Sequence, residues 1–429
     1  MRKKVAITGV GLVTPVGLDA PTTWRNLQDG KSGVGPITLF DARGFTTTIG
    51  AEVKGFVPTR WIEDERVLKM ASRAHLLALA AAEEALQDAS LRPCSSDPER
   101  WAICVGAGMM GITFDHLHEI AASGGPDGLS FDPSRLKAQG NHSDPLAFCR
   151  SQSNAGVSLL AHHFGITGYA TAVHTACASG GQALGAALKT IRRGFADRVL
   201  AGGFDAMLSP LGLESFCLLG AVSPDKDDPH RVSRPFDLTR NGFVLGEGAG
   251  FVVLEEWELA KARGAHIYAE LAGDGNSLSS YRITDSHASG DGPIQAMQSA
   301  LRNAGVTAEE VDYINAHGTS TPMNDRGECA AIRAVLGDHA DIAAISSTKS
   351  CMGHLIAAAG AVEAAVCALA VRDGVAPVNA NLTQLDPDCA INIVRGASQR
   401  RPVRVAMSNS FGFGGSNNCL VLRRPEAVS

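Results

Sequence analysis

The stretch YATAVHTACASGGQALGAALKTIRRG, residues 169–194, contains one cysteine at the point where a strand-like run becomes a helix-like run. Leu184, Leu188 and Ile191 recur at i, i+4 and i+7, which is the spacing of one helix face. Three cations follow in the predicted last turn, so Cys177 lies at the positive end of the helix dipole. That position is expected to lower the pKa of the thiol and to offer backbone N–H groups to an oxyanion. Small neighbours leave room for a substrate, so the stretch predicts a nucleophile and not a cysteine that only fills space.

The composition of the 429-residue chain is typical of a folded, tightly packed protein. Hydrophobic residues make up 45%, aromatic residues only 5%, and there are 47 glycines, which favours an α/β protein of two or three domain-sized units. A net charge of −6 without a long basic run argues against general nucleic-acid binding. Ten cysteines without a CxxC pair indicate a reducing compartment and a cytoplasmic location, and no metal site is apparent.

Hydrophobic periodicity predicts alternating strands and helices along the chain. Strands are predicted at residues 3–9, 101–105, 198–203 and 251–255, and a long helix at residues 64–89. Residues 112–150 are rich in Gly, Pro, Asp and His, which predicts a lid or an insertion. The alanine-rich segment Met352–Val371 approaches membrane-spanning length but contains His354 and Glu363. We therefore expect a central helix that is buried on all sides.

Two parts of the sequence repeat one pattern of helix, turn and strand. The paired segments are AAAEEALQDASL (80–91) with QAMQSALRNAGV (295–306), WAICVGAG (101–108) with VDYINAHG (311–318), and VHTACASGG with ISSTKSCMGH. The repeat predicts two halves, residues 1–260 and 261–429. It also predicts that the turns near Cys177 and His354 face each other across a pseudo-twofold axis.

The run GAGMMG at residues 106–111 fits the G-x-G-x-x-G fingerprint of dinucleotide binding. That fingerprint requires a following helix and a second strand ending in an acidic residue, whereas this chain continues with the loop-like GGPDGLSFDPSR. We interpret the glycines as sites of close backbone packing.

Polar residues in apolar surroundings form a further group of candidates. His317 follows a predicted strand, His354 opens the alanine-rich helix, and Lys349 and Glu363 flank His354. With Cys177 they provide a nucleophile, two imidazoles and a candidate buried ion pair at equivalent ends of the repeated units. The glycine-rich turn NSFGFGGSN offers backbone N–H donors and a movable aromatic side chain.

These motifs resemble those of the beta-ketoacyl-acyl-carrier-protein synthases, the elongating type II ketosynthases of the thiolase superfamily. TACASG, AHGTST, STKSCMGH and NSFGFGGSN match that family in order and span nearly the whole chain. The resemblance implies an α/β fold that is thiolase-like, with five layers, αβαβα, and two pseudo-duplicated halves. It implies an acyl carrier protein as partner and a homodimer, or a heterodimer with a homologous subunit. No cofactor is implied, because the substrates arrive on the phosphopantetheine arm of the carrier protein.

The resemblance also implies a role for each matched residue. Cys177 would accept the acyl chain as a thioester, with an oxyanion hole formed by the N–H groups of Cys177 and Phe413. His317 and His354 would bind malonyl carrier protein and assist the loss of carbon dioxide, and the carbanion would then attack the acyl-enzyme. Lys349 with Glu363 would control the charge state of the histidines, and Asp325 would be a supporting residue. Thr319 and Thr321 would contact the pantetheine arm. The residues implied to gate or line the acyl pocket are Phe411, Phe413, Met109 and His174.

Two expectations concern partner and substrate. Arg66, Lys69 and Arg73 form a basic stripe on the long predicted helix and are expected to dock the carrier protein, with a solvated helix face as the alternative. Met109, His174 and the long lid segment predict a preference for a restricted class of acyl chains. Two other functions stay open at this point: an acyltransferase or malonyl decarboxylase on the same scaffold, and a catalytically silent partner subunit.

Overall fold

The computed structural model describes residues 2–93, 97–108, 121, 124, 130, 132–138, 145–282 and 289–426. Its helices are α1 (Ala20–Gln28), α2 (Glu65–Met70), α3 (Arg73–Asp88), α4 (Pro133–Ala138), α5 (Pro145–Ser151), α6 (Ala155–Phe164), α7 (Ser179–Arg192), α8 (Pro210–Leu218), α9 (Trp257–Ala262), α10 (Asp291–Ala304), α11 (Pro322–Leu336), α12 (Lys349–Met352) and α13 (Ala359–Asp373). Most of the predicted lid, together with Met109, lies outside these ranges. No helix within them is both long and apolar enough to cross a membrane.

A ten-stranded mixed sheet runs through the described part of the chain. Its strands are β1 (Val5–Val13), β2 (Trp101–Ala107), β3 (Ala170–Val173), β4 (Arg198–Asp205), β5 (Gly248–Glu256), β6 (Ala269–Leu278), β7 (Tyr313–Asn315), β8 (Ala344–Ser346), β9 (Val405–Phe411) and β10 (Ser416–Arg423). Two-residue strands pair separately, Gly35–Pro36 with Ile49–Gly50 and Val375–Ala376 with Gln399–Arg400. The four strands predicted from periodicity are all present, and each is longer than predicted.

The strand order divides the sheet into two matching halves. The first half runs β3-β2-β4-β5-β1 and the second runs β8-β7-β9-β10-β6. In each half the successive pairings are parallel, parallel, antiparallel and antiparallel. The halves meet where β1 pairs with β6. This arrangement confirms the duplication that the sequence predicts.

The helices complete a five-layer structure. α7 and α13 pack against each other between the halves of the sheet, α3 covers the outer face of the first half, and α10 covers that of the second. Every residue of α13 from Ala359 to Val371 is buried, which confirms the predicted central helix. The layers follow the αβαβα order expected for a thiolase-like fold.

Glycines allow the two central helices to approach closely. A Cβ atom on Gly180 would lie 2.7 Å from the backbone nitrogen of Ala361, and a Cβ atom on Gly360 would lie 2.6 Å from that of Gly181. Gly106 serves a similar purpose, because a Cβ atom there would lie 2.4 Å from the nitrogen of Gly180. The first glycine of the G-x-G-x-x-G run therefore permits close packing under the nucleophile turn, as predicted.

The long helix predicted around the basic stripe is wrong, because the chain forms two helices there. Ala71 adopts an extended ψ of 139°, which ends α2, and the side chain of Ser72 caps the N-terminus of α3. A serine cap satisfies amide groups that a new helix leaves unpaired, so the chain can start again in a new direction. Arg73 therefore lies on a different helix from Arg66 and Lys69.

Candidate active site

Cys177 lies where β3 leads into α7. It belongs to a 3-10 turn, Ala176–Ala178, in which Ala176 has a φ of +49°, an uncommon conformation for a residue with a side chain. The turn places the thiol at a cavity of about 360 Å³ and leaves Cys177 only 4% exposed. The backbone N–H groups of Cys177 and Phe413 both face the sulfur. Two donors thus converge where a thioester oxyanion would form.

His354 is in hydrogen-bond contact with the thiol. Its Nε2 atom lies 3.0 Å from Sγ of Cys177, and its Nδ1 atom accepts a hydrogen bond from the backbone N–H of Ile356 at 3.2 Å. A neutral imidazole that accepts at Nδ1 carries its proton on Nε2. His354 therefore presents a hydrogen-bond donor to the cavity, and in this tautomer it cannot accept the thiol proton.

His317 follows β7 and completes the pair of imidazoles. The two histidine rings are nearly perpendicular, at 83°, with centroids 5.3 Å apart. The backbone N–H groups of His317 and Gly318 donate to the carboxyl group of Glu328 on α11, at 2.8 and 2.7 Å. Glu328 is a site residue that sequence reasoning missed. Its spacing of three from Asp325, on the helix that follows AHGTST, was the available signal.

Lys349 and Glu363 form a fully buried ion pair behind the histidines. Burial, followed by the positive charge of Lys349, lowers the pKa of His354 and of His317 well below the usual range. Burial also raises the pKa of Glu363 to about 7, against the opposing influence of Lys349. Both imidazoles are therefore neutral near pH 7 and can act as hydrogen-bond donors.

The pKa of the nucleophile corrects the expectation drawn from the helix dipole. Burial raises the pKa of the Cys177 thiol to about 11, although the charge of Lys349 and the N–H group of Phe413 act in the opposite direction. The surrounding protein excludes the water that would solvate a thiolate, and this loss outweighs the favourable dipole. The free thiol is consequently protonated at neutral pH.

Four more predicted residues line the same cavity: Thr319, Thr321, Phe411 and Phe413. The hydroxyl groups of Thr319 and Thr321 are 2.9 Å apart, and the ring of Phe411 lies 5.7 Å from that of His317. The cavity lining thus combines two hydroxyl groups with aromatic rings, of which that of Phe411 lies near His317.

Other predicted residues do not join this cavity. The side chain of His174 is exposed and lies outside it, and Asp325 is committed to a buried ion pair with Arg240 at 3.2 Å. Arg73 pairs with Glu247, with Nε 2.7 Å from Oε2, so the predicted three-residue stripe is reduced to Arg66 and Lys69. Because Met109 lies outside the described residues, the predicted acyl preference has no support from this cavity.

Comparison with known proteins identifies the scaffold. Residues 2–260 match the N-terminal domain and residues 268–383 the C-terminal domain of the beta-ketoacyl synthase family. The chain belongs to this family. It is 37% identical to 3-oxoacyl-[acyl-carrier-protein] synthase 2 of Synechocystis sp. over 424 residues, which covers 99% of this chain and 98% of that protein.

Solved ketosynthases share the fold over the same length. The ishigamide ketosynthase/chain length factor superposes with a TM-score of 0.87 and 36% identity, covering 99% of this chain and 100% of that chain. A ketosynthase from the AntDE:AntF complex, a type II polyketide synthase assembly with its acyl-carrier protein, gives a TM-score of 0.86 and 33% identity at the same coverage. The predicted family and its thiolase-like fold are confirmed.

Cys177, His317 and His354 are also a possible metal-ligand group, since their candidate ligand atoms lie within 4.8 Å of one another. A metal would need the lone pair of an unprotonated imidazole nitrogen. In this site, the backbone N–H group of Ile356 donates to Nδ1 of His354, and this hydrogen bond keeps the imidazole proton on Nε2. In this tautomer Nε2 of His354 has no free lone pair for a metal.

Proposed function

We propose that this protein is an acyltransferase that condenses a Cys177-bound acyl chain with malonyl-acyl carrier protein to give 3-oxoacyl-acyl carrier protein. One observation carries the proposal: the sulfur of Cys177 lies 3.0 Å from a neutral imidazole donor inside a buried cavity. Family membership and the 3-oxoacyl-[acyl-carrier-protein] synthase relatives support it. A silent partner subunit is disfavoured because the nucleophile and both imidazoles are in place.

In the first half-reaction, the sulfur of Cys177 attacks the thioester carbonyl of the acyl carrier protein. The new C–S bond replaces the bond to the pantetheine sulfur, and the thiol proton of Cys177 ends on the departing pantetheine thiolate. The N–H groups of Cys177 and Phe413 stabilise the oxyanion of the tetrahedral intermediate. Lys349 and the positive end of α7 favour the transient thiolate.

In the second half-reaction, the carbonyl oxygen of the malonyl thioester lies between His317 and His354. Cleavage of the carbon–carboxylate bond releases carbon dioxide and leaves an enolate, whose charge develops on that oxygen. Neutral imidazole donors bind this oxygen more strongly as the charge grows, which is the kind of interaction that raises kcat. The carbanion then attacks the acyl thioester, and Cys177 leaves as a thiolate that is reprotonated from water.

The carrier protein is proposed to dock beside α2. Arg66 and Lys69 are exposed on this helix, and Arg66 also pairs with Asp64 at 3.0 Å. The pantetheine arm would enter the cavity along Thr319 and Thr321, whose hydroxyl groups can contact its amides. The AntDE:AntF structure, in which a similar ketosynthase is complexed with its acyl-carrier protein, supports this partner. A cytoplasmic location and the absence of a cofactor remain predictions.

The proposed reaction is tested with purified protein, malonyl carrier protein and a panel of acyl carrier proteins, read by intact-protein mass spectrometry. We expect a product two carbons longer than the starting acyl chain, formed only when both substrates are present. An acyl-enzyme without a lengthened product would instead indicate a non-condensing acyltransferase, and carbon dioxide release without condensation would indicate a malonyl decarboxylase. The chain lengths accepted from the panel would separate a fatty-acid enzyme from one of polyketide or polyene synthesis.

A further inference from the structure

Asp205 is a buried carboxyl group beside the active site that the mechanism above does not use. It ends β4 and is 3% exposed. Its Oδ2 atom accepts a hydrogen bond from the backbone N–H of Ala357 at 3.1 Å, and the N–H groups of Ala206 and Met207 also donate to the carboxyl group. A Cβ atom on Gly108 would lie 2.3 Å from Oδ2, so the chain keeps a glycine where this carboxyl group needs space.

The amide that Asp205 holds belongs to a strained turn immediately after His354. Ile356 has a φ of +46°, a conformation that is especially unfavourable for a β-branched residue. The N–H group of Ile356 donates to Nδ1 of His354 and so determines its tautomer. Because Asp205 binds the next amide, at Ala357, it supports the strained conformation on which the direction of the His354 donor depends.

The pseudo-twofold relation of the halves gives Asp205 a counterpart. β9 occupies in the second half the place that β4 occupies in the first. β9 is followed by Gly412, where a Cβ atom would lie 3.1 Å from the backbone nitrogen of Cys177. The end of β4, in the first half, therefore contacts the turn after His354 in the second half. The end of β9, in the second half, contacts the turn at Cys177 in the first half.

We propose that Asp205 is a positioning residue for the condensation: it holds the turn at Ile356 and thereby keeps the Nε2–H group of His354 directed into the cavity. This proposal rests on the proposed function. The carboxylate also places a negative charge near Cys177, which disfavours the thiolate. Asp205 thus favours the condensation step at the expense of nucleophile ionisation.

The charged surroundings of Asp205 bear on the pH dependence. Among the described residues, Asp205 interacts electrostatically with Cys177 and with Glu247, which is paired with Arg73. Lys349 and His354 act on or contact Cys177, and His75 contacts Phe204, the residue before Asp205. Burial raises the pKa of Asp205 to about 7. Since the pKa of Cys177 lies at about 11, Asp205 is ionised throughout the range in which the thiol loses its proton.

The test compares Asp205→Ala and Asp205→Asn with Glu84→Gln as a matched control. Glu84 is a half-buried carboxyl group that also accepts two backbone N–H bonds, but its partners, Leu12 and Ala20, belong to β1 and α1 and not to the turns at Cys177 and His354. For each folded variant, kcat and KM for condensation are measured, and the rate of Cys177 alkylation by iodoacetamide is followed against pH.

We expect Asp205→Ala to lower kcat about 10²-fold, the scale of one misplaced oxyanion donor, with little change in the KM for the acyl carrier substrate. Asp205→Asn keeps one acceptor, so it should retain more kcat while shifting the alkylation midpoint to lower pH. Glu84→Gln should lower the unfolding temperature without changing either profile. If Asp205→Ala does not fold, Asp205→Asn tests the proposal by its kcat for condensation and by the pH profile of Cys177 alkylation.

Condensation in the Asp205 variants that matches Glu84→Gln after correction for the folded fraction would overturn the positioning role. An alkylation profile of Asp205→Asn that superimposes on that of the wild type would overturn the electrostatic role. Failure of the proposed function is recognised separately, because the wild-type protein would then form no lengthened product. The alkylation assay requires no carrier substrate and still reports on Asp205 in that case.

Discussion

At the scale of single residues, the turn at Cys177 distinguishes it from the other cysteines of the described chain. Most of those are buried in the core without a facing cavity, and Cys149 is exposed on the surface. We predict that an acyl carrier substrate or a cerulenin-like epoxide modifies Cys177 alone, as mapped by peptide mass spectrometry. Cys177→Ala should remove the adduct and Cys149→Ser should not. An adduct on Cys351 or Cys217 with Cys177 unmodified would contradict the assignment.

The high pKa of Cys177 has a consequence for its reactivity towards small reagents. Only the thiolate is alkylated, and burial raises the thiol pKa to about 11, so the thiolate fraction should rise about tenfold for each pH unit between pH 7 and 10. We therefore expect the iodoacetamide rate at Cys177 to keep rising through pH 10, whereas the rate of a free thiol with a pKa of about 8.5 levels off above pH 9. A plateau below pH 8 would show that the helix dipole prevails over burial.

The tautomer of His354 separates the two half-reactions. Because its Nε2 atom already carries a proton, the residue is proposed to serve as a donor to the malonyl carbonyl and not as a base for Cys177. Replacement of His317 or His354 by Ala should reduce condensation about 10²- to 10³-fold, the effect of one lost oxyanion donor, while acylation of Cys177 survives. Both steps are followed by intact-protein mass spectrometry. Loss of acylation as complete as the loss of condensation would refute this division of roles.

The limits of sequence reasoning are also clearest in single residues. The helix dipole at Cys177 can be predicted from local periodicity, but the depth of burial that reverses the pKa shift depends on the whole fold. The ion pair of Arg73 joins residues 174 positions apart in sequence, and no local pattern indicates it. The role of Glu328 was missed for a related reason: its spacing from Asp325 indicates a shared helix face, but not that it accepts from the backbone amides of His317 and Gly318.

At the scale of elements, α13 could be predicted and the break between α2 and α3 could not. The alanine-rich run of α13 leaves little alternative to a buried helix, and all its residues up to Val371 are buried. Between α2 and α3, good helix formers continue through Ala71, and Ser72 alone signals a cap. Tertiary packing decides whether a helix continues or ends at such a position. The three cations of the predicted stripe therefore lie on two separate helices.

The short helix α2 retains a testable role in docking. Lys69 lies exposed in its last turn, and an acidic carrier protein would be attracted to it. Lys69→Glu is therefore expected to raise the KM for the carrier substrate at low salt and to weaken its salt dependence. Lys261→Glu is the matched control, because α9 follows the end of β5 that lies opposite the active site. An unchanged KM at low salt would leave α2 as a solvated helix.

At the scale of the whole molecule, the two halves have the same strand order but differ at their outer edges. In the second half, β8 is buried, and Ile345 exchanges hydrogen bonds with the segment at Asn392 and Val394, at 3.0 and 2.8 Å. In the first half, β3 pairs with β2, and no other described residue pairs with its outer edge. An edge strand with free backbone groups is a template for another chain.

This asymmetry predicts that β3 pairs with a second subunit. The amide of Ile103 donates to the carbonyl of Tyr169, so by alternation the backbone groups of Ala170 and Ala172 point away from β2. Ala172→Pro removes an outward N–H group without removing a bond to β2, and should convert a dimer into monomers in light scattering after gel filtration. Ala172→Ser keeps the N–H group and should remain dimeric.

The same measurement distinguishes the two kinds of assembly. A wild-type protein that is dimeric alone is a homodimer, whereas one that is monomeric alone and dimerises with a homologous subunit is one partner of a heterodimer. Ala172→Pro should abolish either association, because both would use the outer edge of β3. A dimer that persists in Ala172→Pro, with β3 still protected from hydrogen exchange, would place the interface elsewhere on the molecule.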